Sequence, residues 1–247
     1  MGKIFITGSA DGLGLLAARK LIELGHEVVL HARNTDRGRD LLKRVKGAET
    51  VLIGDLSDIA QTKKLGEEAN KTGKFDAVIH NAGVYQVQSQ VIFAVNTLAP
   101  YILTCLIEPP QRLIYLSSGM HLSGRTNLEA FSLDTNRITY SDSKLHVLML
   151  AFAVARKVPG VFSNAVDPGW VPTKMGGHGA PDDLNKGYET QVWLASSNDE
   201  SAKVSGKYFH HKKERQHNRL ASDQTLQEEF LKRCEAITRI SFSARSS

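Results

Sequence analysis

The sequence predicts an α/β fold: one domain whose doubly wound parallel sheet carries helices on both faces. Strand-like runs alternate with amphipathic or apolar helical segments, which is the pattern of βαβ units. The chain has 247 residues, 41% of them hydrophobic, which suits one large domain with a well-buried core. No repeat, low-complexity tract or linker divides the sequence. We therefore treat residues 1–247 as a single domain.

The strands and helices follow in chain order. Strands are predicted over residues 4–7, 27–31, 50–53, 76–80, 112–117, 161–166 and 207–209. Helices are predicted over 13–24, 35–45, 59–70, 91–107 and 145–155. The apolar helix 91–107 is interrupted by Asn96 and Pro100, so we interpret it as a core or interface helix and not as a membrane span. The basic tract 210–215 is predicted to be a solvated loop.

Charge and cysteine content limit the classes of function. The net charge of +5, from 31 Lys and Arg against 26 Asp and Glu, is mild and scattered. It gives no indication of nucleic-acid binding and is compatible with an anionic cofactor. The two cysteines, Cys105 and Cys234, lie in apolar helical segments, so we expect no disulfide framework and a reducing, cytoplasmic location. The chain enters a strand at once, which leaves no room for a signal peptide.

A glycine-rich turn follows the first predicted strand. It reads Thr7-Gly-Ser-Ala-Asp-Gly-Leu-Gly14 and opens an apolar helix. Glycines in such a turn let the backbone approach a pyrophosphate at the helix N-terminus. The alternative is a glycine-rich turn without a ligand, and the position between strand and helix argues against it. The spacing G-x-x-x-G-x-G differs from the common dinucleotide pattern G-x-G-x-x-G.

Tyr140 and Lys144 lie just before the apolar run at 145–155. Residues four apart share one face of a helix, so the two side chains lie one turn apart. A nearby ammonium group stabilises a phenolate, which makes the phenol a usable proton donor or acceptor near neutral pH. The pair alone is a weak signal, since the same spacing occurs by chance in many helices.

With the glycine-rich turn, these residues make the chain similar to the short-chain dehydrogenase/reductase family over almost its whole length. Further motifs occur in the family's order: Asp55-Leu56, Asn81-Ala82-Gly83, Asn96 and the segment Pro168-Gly-Trp-Val-Pro-Thr173. The resemblance implies a Rossmann fold that binds NAD(P). The cofactor-binding residues that it implies are Gly8, Ser9, Asp11, Gly12, Leu13, Gly14, Asp55, Leu56, Asn81, Ala82, Gly83, Tyr140, Lys144, Pro168, Gly169, Val171 and Thr173.

The resemblance also implies a catalytic serine at the end of the fifth strand, where Ser117 and Ser118 are adjacent. The family's serine is commonly the second of such a pair, so we choose Ser118 and keep Ser117 as the alternative. The long connection 120–139 resembles the retinol-dehydrogenase-like and carbonyl-reductase-like branch. We expect a substrate lid at about 173–186 and a C-terminal extension at about 205–247. The catalytic residues implied are Ser118, Tyr140, Lys144 and Asn96.

The end of the second strand bears on the choice of cofactor. NAD-specific enzymes of this fold place an acid about where Ala32 lies, to bind the adenine-ribose 2′-hydroxyl. Here the acid is missing and Arg33 follows, whose guanidinium can bind a 2′-phosphate through charge-assisted hydrogen bonds. The alternative is an ordinary surface arginine. Asp11 opposes the phosphate, because many NADP enzymes carry a basic residue there, so NADP(H) is favoured over NAD(H) but not settled.

The resemblance implies an oxidoreductase that transfers a hydride between nicotinamide and a carbonyl or secondary alcohol. Tyr140 would be the general acid, Ser118 would hydrogen-bond the substrate oxygen, and Lys144 would lower the Tyr140 pKa and hold the nicotinamide ribose. Asn96 would anchor a water that returns the proton. His121 and His178 lack partners at metal-ligand spacing, so no metal is predicted. A lipophilic or aromatic substrate is suggested by the expected pocket wall, which comprises Tyr85, Met120, His121, Trp170 and residues 173–183.

Two other functions remain open. A dinucleotide-binding regulator or scaffold would be expected to lose the serine, tyrosine or lysine, and all three are present. A sugar-nucleotide epimerase of related fold usually has a longer C-terminal substrate domain than the residues after Thr173 provide. The helices that contain Asn96 and residues 140–155 form the family's usual dimer surface, so we expect a homodimer or homotetramer, with no nucleic-acid partner.

Overall fold

Within residues 1–242, the part of the chain that the computed structural model describes, eight strands form one sheet. They are Lys3–Ile6 (β1), Glu27–Ala32 (β2), Thr50–Ile53 (β3), Ala77–His80 (β4), Arg112–Leu116 (β5), Phe162–Asp167 (β6), Tyr208–His210 (β7) and Lys213–Glu214 (β8). The order is β3-β2-β1-β4-β5-β6-β7-β8, and every neighbouring pair is parallel except β7 and β8. The reversal between β1 and β4 creates a crevice at the carboxyl ends of the strands.

Helices cover both faces of the sheet. They are Gly12–Glu23 (α1), Thr35–Arg44 (α2), Ile59–Lys71 (α3), Ser89–Ile92 (α4), Ala99–Leu106 (α5), Tyr140–Lys157 (α6), Leu184–Ser196 (α7) and Gln224–Thr238 (α8). One apolar layer packs α1, α2 and α7 against the sheet, and the other packs α3, α5, α6 and α8. The predicted α/β fold with helices on both faces is confirmed. Residues 243–247 of the expected C-terminal extension lie outside the described part.

A capping box fixes the start of α6. Thr139 Oγ1 accepts the Asp142 N–H at 3.1 Å, and Asp142 Oδ2 accepts the Thr139 N–H at 2.9 Å. The same buried carboxylate accepts the Arg125 N–H at 2.7 Å and an Asn127 side-chain N–H at 2.9 Å. The helix therefore begins at Tyr140, so Tyr140 and Lys144 lie on one helix as predicted, and Asp142 holds the long 120–139 connection against it.

The predicted helix 91–107 is not one regular α-helix. After α4 a π-helical segment, Phe93–Leu98, surrounds Asn96 and leads into α5. Such wide turns often lie at functional sites. The sequence did not predict the π-helical segment, because a helix that is buried on every side is apolar throughout. A change in the number of residues per turn then leaves no change in the spacing of its apolar residues. Among the described residues, Ser89–Leu106 is also the one helix long and apolar enough to cross a membrane by length and composition, and 67% of it is buried inside the protein.

The basic tract 210–215 is not the simple solvated loop that we predicted. β7 extends to His210, and β8 pairs with it in an antiparallel hairpin. His211 and Lys212 form the two-residue turn, with φ of 49° and 61°. Tight hairpin turns require such left-handed backbone, which Asn and Gly usually provide. The turn escaped prediction because neither of these residues is present in it.

The two helices that we expected to form a dimer surface are covered by the chain itself. Every residue over 142–154 in α6 and over 92–103 around Asn96 is buried. α8 lies on α6, where the Phe230 ring is fully buried and 5.8 Å from the His146 ring. Glu228 of α8 pairs with Arg156 at 2.5 Å. The C-terminal extension therefore occupies the face that the expected homodimer or homotetramer would use.

We expect the protein to sediment as a monomer of 27.2 kDa, because the apolar faces of α5 and α6 are already buried. Sedimentation velocity at micromolar concentrations measures this. A concentration-dependent dimer would contradict the expectation and would require a surface other than these two helices.

Buried neutral histidines make the fold sensitive to acid. His31 and His146 are buried, and burial lowers the pKa of each from 6.5 to about 4. The His146 ring lies 3.1 Å from Thr97 Oγ1 and 2.6 Å from the Thr126 carbonyl oxygen. The folded protein therefore keeps both rings neutral at a pH at which the unfolded chain binds a proton.

We expect the histidine contribution to the free energy of unfolding to be complete above pH 6.5 and to be lost as the pH falls towards 4. The unfolded state binds more protons in this range, so stability decreases with decreasing pH. The shift corresponds to roughly 3 kcal/mol per histidine. Urea unfolding is measured across this pH range for wild type and for His146→Gln. Carboxylates titrate in both proteins, so the difference between the two profiles gives the contribution of His146. Parallel profiles for the two proteins would contradict the expectation.

Candidate active site

A cavity of about 440 Å³ opens at the carboxyl ends of β1, β2, β4 and β5. It brings together segments that are far apart in the sequence. The predicted residues on its wall are Gly8, Asp11, Gly12, Leu13, Arg33, Asp55, Leu56, Asn81, Ala82, Gly83, Tyr140, Lys144, Pro168 and Thr173. The predicted residues that do not line it are Ser9, Gly14, Asn96, Ser118, Gly169 and Val171.

The glycine-rich turn forms one end of the cavity. Gly8 and Gly12 have φ of 63° and 53°, in the left-handed region that favours glycine. Gly14 lies behind the wall, where a Cβ would come within 2.4 Å of Asn81 Nδ2. Asn81 Nδ2 donates to the carbonyls of Thr7 and Gly8 at 3.0 and 3.2 Å. The N-terminus of α1 faces the cavity, where the Asp11 carboxylate accepts the Gly12 N–H at 3.0 Å. Helix N-termini of this kind bind the phosphates of a dinucleotide.

His31 supports this turn from below, and the sequence analysis missed it. Its Nδ1 accepts the Gly8 N–H at 2.9 Å, and its Nε2 donates to the Gly54 carbonyl at 2.8 Å. Ser9 Oγ accepts the His31 N–H at 2.8 Å, which explains why Ser9 lies behind the wall. A histidine in an apolar strand carries no sequence signal that separates this role from ordinary core packing.

A charged cluster lies where β2 ends. Arg33, Arg37 and Lys174 all line the cavity. The Asp11 carboxylate lies 2.5 Å from Lys174 Nζ and 3.8 Å from the Arg37 guanidinium. The hydrogen bond from Lys174 lowers the pKa of Asp11, although partial burial opposes this. Asp11 is therefore paired rather than a free negative charge. Neither Arg37 nor Lys174 belongs to a family motif, so the sequence analysis missed both.

The two adjacent serines have different surroundings. The Ser117 hydroxyl is buried and donates to the Lys144 carbonyl at 2.9 Å, so it braces α6 against β5. The Ser118 hydroxyl lies near the Tyr140 phenol and acts to lower the pKa of that phenol. It also accepts the Met120 N–H at 3.3 Å. Ser117 lines the cavity, but its hydroxyl is already bonded to the backbone, so the choice of Ser118 as the catalytic serine stays a prediction.

Burial governs the ionisation of the Tyr140 and Lys144 pair. It raises the pKa of Tyr140 to about 12, and the hydrogen bond with Ser118 acts in the opposite direction. Burial also lowers the pKa of Lys144 to about 8. Lys144 Nζ lies 5.4 Å from the centre of the Tyr140 ring and donates to the Leu116 carbonyl at 2.8 Å. The expected lowering of the Tyr140 pKa by Lys144 is not found, because burial raises this pKa and the opposing effect comes from Ser118.

Asn96 is fully engaged by the protein. Its Oδ1 accepts the Val84 N–H at 2.8 Å, and its Nδ2 donates to the Val84 carbonyl and the Ser143 hydroxyl, each at 3.0 Å. These bonds tie the segment after β4 to α6. The side chain is 1% exposed. The water-anchoring role that the family resemblance implies stays a prediction.

Part of the expected pocket wall is present. Thr173, Lys174 and Met175 line the cavity, and the Tyr85 ring meets the Tyr140 ring edge to face at 4.8 Å. Met120 and Trp170 are exposed and do not line the cavity. Trp170 Nε1 donates to the Gly176 carbonyl at 2.8 Å, so this hydrogen bond connects Trp170 to the expected lid segment. The prediction for His121 is wrong. It is fully buried, because its Nδ1 bonds the Ser118 carbonyl at 2.7 Å and turns the ring away from the cleft.

The C-terminal extension packs against the segment that follows Ser118, which the sequence analysis did not predict. Asn218 Nδ2 donates to the carbonyls of His121 and Gly124 at 3.3 and 3.1 Å. The Tyr208 ring packs edge to face on the His121 ring at 4.6 Å. These residues come from chain positions outside every family motif that we identified.

Known proteins resemble this chain in sequence and in fold. A family model described as short chain dehydrogenase matches residues 3–107. The chain is 42% identical to the short-chain dehydrogenase chyC of Penicillium rubens, over 99% of this chain and 100% of that protein. It is 27% identical to retinol dehydrogenase 14 of Homo sapiens, over 90% of this chain and 82% of that protein. The solved structure of a short chain dehydrogenase from Shigella flexneri, complexed with NADP, shares the fold with a TM-score of 0.67 and 22% identity, over 85% of this chain and 97% of that one.

The full-length match at 42% identity and the convergence of the motif residues on one cavity lead to the same conclusion. The chain belongs to the short-chain dehydrogenase/reductase family, in its retinol-dehydrogenase-like branch.

Proposed function

We propose that this protein is an NADP(H)-dependent oxidoreductase that interconverts a carbonyl and a secondary alcohol on a small lipophilic or aromatic substrate. One observation carries the proposal: Tyr140 and Lys144 lie on the wall of the same cavity as the glycine-rich turn, and Ser118 lies beside Tyr140. The fit of a dinucleotide rests on the left-handed glycines and on the N-terminus of α1, which faces the cavity. A cytoplasmic location belongs to the same proposal, supported by the burial of both cysteines in the core.

The catalytic roles follow from the ionisation of the three groups. When bound, the nicotinamide supplies or accepts the hydride. Tyr140 is a neutral phenol at pH 7, because burial raises its pKa, and it donates its proton to the substrate oxygen. Ser118 donates a hydrogen bond to the same oxygen as negative charge develops. Lys144, with its pKa of about 8, is mostly charged at neutral pH and favours the phenolate that remains.

The charges at the end of β2 support NADP(H) over NAD(H). Ala32 leaves the position of the ribose-binding acid without a carboxylate, while Arg33 and Arg37 face the cavity. Asp11, which we expected to repel a 2′-phosphate, is paired with Lys174 and lies near Arg37. The cluster thus holds three cations against one carboxylate, and guanidinium groups bind phosphate well.

An apolar rim around the cleft supports a lipophilic or aromatic substrate. Tyr85, Met120, Trp170 and Met175 are between 37% and 60% exposed. Large exposed apolar side chains that cluster at one cleft are typical of ligand-binding surfaces. A relative named for retinol, a lipophilic alcohol, agrees with this substrate class.

Tyr140→Phe should lower turnover by at least about a hundredfold, because it removes the proton donor and keeps the ring packing. The affinity for NADPH should change little. Turnover is followed by NADPH absorbance with a panel of carbonyl compounds. Tyr188→Phe is the matched control, since it removes a Tyr–Asn hydrogen bond on α7, away from the cleft. Wild-type turnover by Tyr140→Phe on any good substrate would show that the catalytic assignment is wrong.

Arg33→Ala should weaken NADPH binding by about ten- to a hundredfold and spare NADH, because a charge-assisted contact contributes roughly 1.5–3 kcal/mol. Arg37→Ala should act in the same direction. Ala32→Asp should reverse the preference, since it repels the phosphate and accepts the free ribose hydroxyl. Dissociation constants of both cofactors measure this.

Arg39→Ala serves as the control for these variants. Arg39 lies on α2, pairs with Asp36 at 3.3 Å and is not on the cavity wall. Equal binding of NADH and NADPH by wild type, with no effect of Arg33→Ala, would leave Arg33 an ordinary surface residue.

A further inference from the structure

Asp167 ends β6 immediately before Pro168 and Gly169, and no motif assigns it a role. Its side chain is 15% exposed. Oδ1 accepts the Gly169 N–H at 2.9 Å, and Oδ2 accepts the Tyr208 hydroxyl at 3.2 Å. His210 Nδ1 lies 3.6 Å from Oδ2. The carboxylate therefore holds the start of the loop that, by family resemblance, contacts the nicotinamide.

The same carboxylate also contacts the opposite wall of the cleft. Oδ2 packs directly on Gly119, where a Cβ would lie only 3.2 Å from it. Gly119 follows Ser118, whose hydroxyl lies near the Tyr140 phenol and acts to lower its pKa. One side chain thus touches the backbone on both sides of the catalytic cleft, the serine wall and the Pro168–Gly169 loop.

Tyr208 extends this contact to the serine itself. Its ring packs on the His121 ring at 4.6 Å, and His121 Nδ1 donates to the Ser118 carbonyl at 2.7 Å. The Asn218 N–H points to His121 Nε2 at 3.3 Å, so both nitrogens of this ring are engaged. Asp167, Tyr208 and His121 form a buried chain of contacts from Gly169 to Ser118.

We propose that Asp167 is a positioning residue, which sets the separation between the Ser118–Gly119 wall and the Pro168–Gly169 loop through its two hydrogen bonds. The inference rests on the proposed oxidoreductase function, in which a substrate carbonyl held by Ser118 and Tyr140 must meet the cofactor in a narrow range of geometries. Tyr208 is its partner, because the phenol fixes the oxygen that packs on Gly119.

The test compares Asp167→Ala, Asp167→Asn and Tyr208→Phe with phenanthrenequinone as substrate. Asp167→Ala should lower kcat by about tenfold to a hundredfold, the range that misplacement of reacting groups can cause. Asp167→Asn should recover most of kcat, because its amide keeps the acceptor for Gly169 and a partner for Tyr208. Tyr208→Phe should lower kcat in the same direction as Asp167→Ala and by a smaller factor. The NADPH dissociation constant and the Tm are measured for each variant.

Several results would overturn the inference. Asp167→Asn as inactive as Asp167→Ala would mean that the residue acts through its charge. A normal kcat in Tyr208→Phe would mean that Tyr208 does not take part in positioning. A decrease in kcat that parallels a decrease in Tm or in NADPH affinity would mean that Asp167 has a purely structural role. Tyr188→Phe is again the matched control. If wild type reduces no carbonyl compound, the proposed function fails together with this inference, whereas an active wild type with an equally active Asp167→Ala variant fails the inference alone.

Discussion

The buried carboxylate of Asp142 is the constraint on which the catalytic arrangement depends. It accepts hydrogen bonds from Thr139, Arg125 and Asn127, and so it both starts α6 and fastens the long connection in front of it. Because α6 begins at that point, Tyr140 lies at the mouth of the cleft and Lys144 lies one turn deeper, beneath the ring. A start one residue later would rotate the pair by about 100° around the helix axis, away from Ser118.

Much of this arrangement was predictable because it follows local rules. Alternating strands and helices gave the sheet, and the glycine positions at 8 and 12 match left-handed backbone that few other residues adopt. The missed features depend on contacts between distant segments. His31, Arg37 and Lys174 acquire their roles only when β2, α2 and the lid meet at one cavity. The π-helical segment around Asn96 and the His211-Lys212 turn have no local signal, since tertiary packing imposes them.

Burial is the dominant electrostatic effect around Tyr140 and Lys144. It raises the pKa of Tyr140 and lowers that of Lys144, so it disfavours the charged form of each. At the cofactor end, the charged side chains of Arg33, Arg37 and Lys174 are partly exposed to solvent, so burial does not suppress their charges. The net charge of this cluster depends on its pairing with Asp11. The cleft therefore has a buried end at Tyr140 and Lys144, which suits proton transfer. Its other end is exposed to solvent and carries cations, which suits anion binding.

The contacts of Asn218 affect the order in which parts of the structure form during synthesis. The Asn218 N–H hydrogen-bonds His121, which lies 97 positions earlier in the chain, and the Tyr208 ring packs on the same His121 ring. The glycine-rich turn and its supports in β2 and β4 are all synthesised well before either residue leaves the ribosome. Domains generally begin to fold from the N-terminus during synthesis. A nascent chain can thus form the glycine-rich turn and its supports first, while the contacts on His121 form only after Tyr208 and Asn218 have been synthesised.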